Sequence, residues 1–167
     1  NTTRQSYLEI IHKKTASLLG TSASVGALAV RAPRERVELM RSFGEALGMA
    51  FQIQDDILDF SPSARTGKPS NNDLREGKIT LPLLDVLERV DAERRSELLE
   101  RLARCHEDEE SVALLQRTVV EEGGLEAAAR VMQGYLRRAL DLLSTYEDSP
   151  ARTALANLCA YVAERDR

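Results

Sequence analysis

Apolar residues recur every three or four positions along almost the whole chain, and this spacing is the feature that most limits its fold. The pattern predicts amphipathic α-helices, because strands that bury one face need apolar and polar residues in alternation, and the sequence has no such alternation. Turn and capping residues divide the pattern into segments, namely Pro33, Leu81-Pro82, Asp91, Gly123-Gly124 and Ser149-Pro150. The sequence therefore predicts one all-α domain over residues 1–167, with about seven or eight helices.

Three predicted boundaries locate the two helices and the loop that carry the candidate polar residues. A first helix over residues 7–19 is expected to end near Gly20, since glycine often follows the last helical residue. A later helix can have Pro33 at its first position and runs toward Phe60. Residues 61–77 are rich in Ser, Pro, Gly, Asn and charges, and this segment is longer than a connection between two helices needs. We therefore expect the loop to have a function.

Composition and charge argue against several classes of protein. With 43% apolar and 30% charged residues, the chain has the balance of a soluble globular protein. A net charge of −4, without runs of basic and aromatic residues, argues against nucleic-acid binding, and no apolar stretch is long enough for a transmembrane helix. Cys105 and Cys159 lack metal-ligand spacing, so we expect buried free thiols in a reducing, cytoplasmic compartment.

The segment FQIQDDILDF, residues 51–60, places three carboxylates among apolar side chains. On a helix, Gln52, Asp55, Asp56 and Asp59 have offsets of 0, 3, 4 and 7, so they form one polar stripe. Most acidic stripes are solvated surfaces, but the apolar neighbours count against that interpretation here. Carboxylates held against a core need a neutralising cation, and clustered oxygens suit Mg²⁺ completed by waters and phosphate oxygens. The stripe is therefore a candidate metal site.

Lysines on a glycine-rich backbone follow this stripe in the sequence. Lys68 and Lys78 each come directly after a glycine, so tight turns could bring both ammonium groups inward. Lysine acts as a point charge toward phosphate, and Lys14 with Thr15 in the first helix could add an ammonium group and a hydroxyl. Each lysine alone would more often be an ordinary surface residue. Together, the carboxylates, the lysines and a hard cation predict a diphosphate-binding site.

Three segments carry a resemblance to a known family: YLEIIHKKTASLL (7–19), FGEALGMAFQIQDDILDF (43–60) and GKPSNNDLREGKITLPLL (67–84). With their spacing, they resemble the C-terminal half of the trans-isoprenyl diphosphate synthases, the polyprenyl synthetase family. The resemblance covers essentially the whole chain but only about half of the family's usual sequence. It implies half of an isoprenoid-synthase-type helical bundle, built around a deep apolar cavity.

The resemblance also implies a reaction and a role for each candidate residue. Family members ionise an allylic diphosphate with Mg²⁺, the double bond of isopentenyl diphosphate attacks the carbocation, and a proton is then lost. Asp55, Asp56 and Asp59 match the second aspartate-rich motif, with Asp55 the expected direct Mg²⁺ ligand and the other two acting on the ion directly or through water. The allylic diphosphate would be held by Lys14, Lys68 and Lys78. Oxygen dipoles beside the ionising carbon would come from Thr15 and Gln52. The prenyl-chain cavity would be bordered by Phe51 with Gly44 and Gly48.

The sequence departs from the family in two respects. Asn71 stands where the family usually has glycine, and asparagine tolerates the left-handed backbone that such a turn requires. The family's first aspartate-rich motif, and the arginine pair after it, have no counterpart in this sequence. The leading hypothesis is therefore a split synthase, in which a complementary subunit supplies the first motif and both diphosphate substrates bind to the assembled enzyme.

Three other interpretations stay open at this point. The chain could be a fragment of a single-chain synthase, a non-catalytic subunit that regulates a prenyl synthase, or half of a class I terpene cyclase. The retained aspartates and lysines count against a regulatory subunit, and the stretch DLREGKITLPLL favours a prenyl synthase over a cyclase. Product chain length is not predicted, because in this family it depends largely on residues near the first aspartate-rich motif.

Overall fold

The computed structural model describes residues 2–60 and 71–165 of the chain. Within these ranges the chain is helical and has no strand, which confirms the all-α prediction. The helices are α1 (Arg4–Ile11), α2 (Ser17–Ala29), α3 (Arg34–Asp59), α4 (Asn72–Arg75), α5 (Leu81–Arg89), α6 (Ala92–Arg104), α7 (Glu109–Glu121), α8 (Gly124–Ser144) and α9 (Pro150–Glu164), with a π-helical stretch at His12–Ala16. That stretch joins α1 to α2 without a break. Counting α1 and α2 as one leaves eight helices in the described residues, which agrees with the seven or eight predicted.

Gly20 lies inside α2, so the prediction that the first helix ends there was wrong. A Cβ atom at Gly20 would lie 2.6 Å from Cγ of Glu45 and 3.0 Å from the carbonyl oxygen of Arg41. The glycine therefore permits α3 to approach α2 closely and does not end a helix.

Gly44 and Gly48 belong to the same close contact, which α3 makes with α2 and with the end of the π-helical stretch. A Cβ atom at Gly44 would lie 2.5 Å from the carbonyl oxygen of Leu19, and one at Gly48 would lie 2.6 Å from Cα of Ala16. The sequence predicts that a backbone or a ligand approaches these two glycines, and here it is a backbone. This close contact sets the distance between the two helices that carry Thr15 and Gln52.

The described residues fall into two compact units. One comprises residues 2–7, 55–60 and 71–130, and its core joins α5, α6 and α7 to residues of α4 and to the position after α3. The buried side chains of this core are Phe60, Leu74, Leu83, Val86, Leu87, Leu98, Leu102, Cys105, Val112, Leu115 and Val119.

The second unit comprises residues 8–54 and 131–165. In it, the first turn of α3 is joined to the residues after α8. The guanidinium of Arg36 lies 4.7 Å from the ring centroid of Tyr146 and donates a hydrogen bond of 3.3 Å to the carbonyl oxygen of Thr145.

Capping residues end and begin the helices largely where the sequence predicts. Asp91 accepts a hydrogen bond of 2.8 Å from the amide of Arg94, and Ser149 accepts one of 3.2 Å from the amide of Arg152. Gly123 has a φ angle of +70°, which suits the turn after α7. The sequence had suggested that both glycines form the cap. That was wrong for Gly124, which begins α8.

Both cysteines are buried and free, as predicted, and burial raises the pKa of each thiol. Within the described residues, no helix combines the length and the apolar character that crossing a bilayer requires.

Candidate functional site

Thr15 and Gln52, two predicted site residues from different helical segments, are in direct contact. Thr15 lies in the π-helical stretch, and its hydroxyl donates a hydrogen bond of 2.7 Å to Oε1 of Gln52 on α3. Gln52 is buried, whereas Lys14, beside Thr15 in the same stretch, is exposed. Single π-helical turns are rare and are frequent at functional sites, and this one places a hydroxyl against the first residue of the polar stripe.

Phe51 is covered by a residue from the end of the described chain. The guanidinium of Arg165 lies 4.1 Å from the centre of the Phe51 ring. The backbone carbonyl of Arg165 accepts a hydrogen bond of 3.4 Å from Nε2 of Gln54. A cation over an aromatic face is a favourable contact. The sequence did not indicate that Arg165 would contact Phe51.

The two adjacent aspartates on α3 have different surroundings. Asp55 is exposed, whereas Asp56 has a relative exposure of 7% and its Oδ2 accepts a hydrogen bond of 2.6 Å from the hydroxyl of Tyr7. Sequence reasoning gave Tyr7 no role in the site. The signal that could have found this role is general: a buried phenol needs a polar partner, and a charged group is the strongest one.

Asp59 holds the backbone that leads into α4. It is 4% exposed, and its carboxylate accepts hydrogen bonds from the amides of Asn72, at 3.2 Å, and Asp73, at 2.9 Å. Its carbonyl oxygen accepts a third, of 2.7 Å, from the amide of Asn71. Asn71 has φ 62° and ψ 34°, which confirms the prediction that asparagine supports a left-handed turn here.

Lys78 is exposed and pairs with carboxylates from its own segment. Its ammonium lies 3.4 Å from Oδ1 of Asp73 and also contacts Glu76. The hydrogen bond to Glu76 is the main cause that raises the pKa of Lys78. Burial raises the pKa of Asp73, as does the charge of Asp59, while Lys78 opposes the shift. Sequence reasoning missed Asp73, although it is the one aspartate in the quoted segment NNDLREGK.

The predicted residue Lys68 lies outside the described residues. Among those described, no group of three or more His, Cys, Asp or Glu side chains is arranged to hold a metal ion. The two buried aspartates bond to Tyr7 and to α4, so the stripe does not form a cage of protein ligands. Its residues still fit Mg²⁺, which is usually held by one or two carboxylates and completed by waters and substrate phosphates, because Asp55 presents an exposed carboxylate.

Comparisons with known proteins establish the family. The polyprenyl synthetase family matches residues 1–119 of this chain. A short chain isoprenyl diphosphate synthase from Methanothermobacter thermautotrophicus is 35% identical over 98% of this chain and 50% of its own length. The chain therefore belongs to the polyprenyl synthetase family, as its motifs predict.

Two further relatives show the breadth of the match. Heptaprenyl diphosphate synthase component 2 from Geobacillus stearothermophilus is 34% identical over 97% of this chain and 50% of its own length. A crystal structure of polyprenyl synthase from Caulobacter crescentus, complexed with calcium and isoprenyl diphosphate, is 32% identical with a TM-score of 0.90, covering 100% of this chain and 51% of the other. This chain thus spans about half the length of the relatives that it matches.

Proposed function

We propose that this chain is one subunit of a split trans-isoprenyl diphosphate synthase, which condenses an allylic diphosphate with isopentenyl diphosphate. The observation that carries the proposal is the contact between Thr15 and Gln52, two residues that the family resemblance assigns to the same task. Gln52 also begins the aspartate stripe on α3. Membership of the polyprenyl synthetase family supports the choice of reaction.

The charged residues would bind the diphosphate of the allylic substrate. Lys14 and Lys78 are exposed, so phosphate oxygens can reach their ammonium groups, and at Lys78 they would compete with Asp73 and Glu76. Lys68 would add a third ammonium group. Asp55 would be the direct ligand of Mg²⁺, with Asp56 and Asp59 completing the acidic stripe. Bound Mg²⁺ supplies positive charge that stabilises the departing diphosphate.

The uncharged polar pair would act on the carbocation. When the carbon–oxygen bond breaks, both electrons leave with the diphosphate and positive charge develops on the allylic carbon. Because the Thr15 hydroxyl donates its hydrogen to Gln52, its oxygen keeps lone pairs that can face this charge. Oxygen dipoles fixed in advance stabilise charge at little cost of reorganisation. The double bond of isopentenyl diphosphate then attacks the carbon, and loss of a proton restores a double bond.

A complementary subunit with the first aspartate-rich motif would complete the enzyme. Four large apolar side chains on α1 and α2 are between 55% and 69% exposed: Ile10, Leu18, Val25 and Leu28. Exposed apolar side chains on one helical run support an interaction surface, and this run carries Lys14 and Thr15. The name of the Geobacillus relative, component 2, supports an enzyme of more than one component, although that component is itself about twice as long as this chain.

A prenyl-transfer assay tests the proposal. We would supply Mg²⁺, isopentenyl diphosphate and allylic diphosphates of several lengths to this chain alone and to a mixture with a half that carries the first motif. We expect a longer diphosphate only from the mixture. Turnover by the chain alone would contradict the need for a partner, and a hydrocarbon or alcohol product would contradict the reaction.

Thermal unfolding of this chain should show that Mg²⁺ and diphosphate bind together. Neither the carboxylates nor the lysines form a complete site, so each ligand supplies what the other needs. At concentrations about 100-fold above the dissociation constant, we expect stabilisation of about 2.7 kcal/mol from the pair and much less from either ligand alone. The same measurement with Ca²⁺ and diphosphate provides the comparison with a second metal ion. Equal stabilisation by Mg²⁺ alone would indicate a preformed metal cage and contradict the expectation.

A further inference from the structure

Asp59 differs from Asp55, one helical turn earlier, in how deeply it is buried. Asp55 is exposed. Asp59 is buried, and each of its carboxylate oxygens accepts an amide hydrogen: Oδ1 from Asn72 and Oδ2 from Asp73. These are the first two residues of α4, whose amides have no partner inside the helix. Asp59, on α3, thus caps the short helix α4.

The segment that Asp59 holds leads directly to Lys78. The backbone amide of Lys78 donates a hydrogen bond of 2.8 Å to the carbonyl oxygen of Asp73, and its ammonium lies 3.4 Å from the carboxylate of the same residue. Asp73 is therefore fixed at its amide by Asp59, and it fixes Lys78 through both its backbone and its side chain. The left-handed Asn71, bonded to the backbone of Asp59, begins this path.

We propose that Asp59 is a positioning residue and not a metal ligand: its carboxylate caps α4 and so places Lys78 for the diphosphate. The role given to Lys78 rests on the proposed function, whereas the capping role does not. A carboxylate that already accepts two amides has fewer lone pairs left for a cation, and turning it toward Mg²⁺ would leave two amides without their partner. Within the aspartate stripe, Asp55 would then bind the metal ion, whereas Asp59 fixes the backbone of α4.

Two substitutions at Asp59 separate capping from metal binding. Asparagine keeps one acceptor oxygen and has no charge, so it can hold one of the two amides, whereas alanine holds neither. We expect Asp59→Ala to lower the Tm of the ligand-free chain by about 2–4 °C and Asp59→Asn to lower it by about half as much. Asp55→Asn, the matched loss of charge on the same helix, should leave this Tm unchanged.

Titration with Mg²⁺ and inorganic diphosphate, followed by Tm, supplies the second measurement. Asp59→Asn should leave the Mg²⁺ concentration for half of the full stabilisation within about threefold of the original, while Asp55→Asn should raise it at least about tenfold. Asp59→Ala should weaken the response to diphosphate, but not further when Lys78→Ala is already present, since the effect passes through that lysine.

Each outcome decides the matter. An unchanged Tm in Asp59→Ala overturns the capping role. Loss of the Mg²⁺ response in Asp59→Asn, to the degree seen in Asp55→Asn, overturns the exclusion of Asp59 as a ligand. Additive effects of Asp59→Ala and Lys78→Ala on diphosphate binding overturn the path through Lys78. If the unaltered chain does not respond to Mg²⁺ with diphosphate, the proposed function and the role of Lys78 fail together, and the Tm comparison still decides whether Asp59 caps α4.

Discussion

Replacing Asp55 by alanine is expected to slow prenyl transfer by the assembled enzyme by about 10²–10³-fold, the usual effect of removing one group that stabilises developing charge. Asp55 has the exposed carboxylate of the stripe, so it is the residue best placed to meet Mg²⁺ that arrives with a diphosphate. Folding should be nearly unaffected, because substitutions at exposed positions usually change stability by no more than about 0.5 kcal/mol. The measurement is the steady-state rate of formation of the longer diphosphate, with the complementary half present.

Asp141 on α8 provides the matched control, since it is also an exposed aspartate on a long helix. Asp141→Ala removes the same charge and should leave the rate unchanged. If Asp55→Ala and Asp141→Ala both retain full turnover, the catalytic assignment of the stripe is wrong, and a regulatory subunit becomes the better interpretation of this chain. A fall in both would indicate a general effect of net charge.

Local signals were enough to predict the helices and several of their ends. Asp91 and Ser149 cap where the sequence predicts because a capping side chain bonds to amides only two or three residues away. Asn71 adopts the left-handed turn for an equally local reason, the low steric cost of that conformation for asparagine. The family resemblance added Thr15 and Gln52, which are 37 residues apart, and the structure brings these two together.

Contacts between distant segments could not be predicted from the same signals. Gly20 fits a helix end and a close helix contact equally well in sequence, and the position of α3 decides between them. The helical spacing of the aspartates shows that they share a face, but it does not show that Asp56 bonds to Tyr7, 49 residues earlier. The direction of each carboxylate depends on which donor another segment brings to it.

Two glycine-to-alanine substitutions should change stability in opposite directions, which tests the packing of the helices that carry Thr15 and Gln52. At Gly44, an added Cβ would lie 2.5 Å from the carbonyl oxygen of Leu19 and 2.9 Å from Cα of Gly20. These are backbone atoms of α2, which cannot rotate away, so the two helices must separate. We expect Gly44→Ala to lower the free energy of unfolding by about 3 kcal/mol, the upper part of the usual range for overpacking.

Gly26, in α2, is the matched position because no heavy atom lies within 4 Å of an added Cβ. Alanine there should raise the free energy of unfolding by up to about 1 kcal/mol, since it favours a helix interior over glycine by that amount. Urea denaturation followed by circular dichroism measures both changes. A Gly44→Ala chain as stable as the original would mean that α2 and α3 are farther apart than described. The hydrogen bond between Thr15 and Gln52 would then lose its structural basis, because the same close contact holds those two residues together.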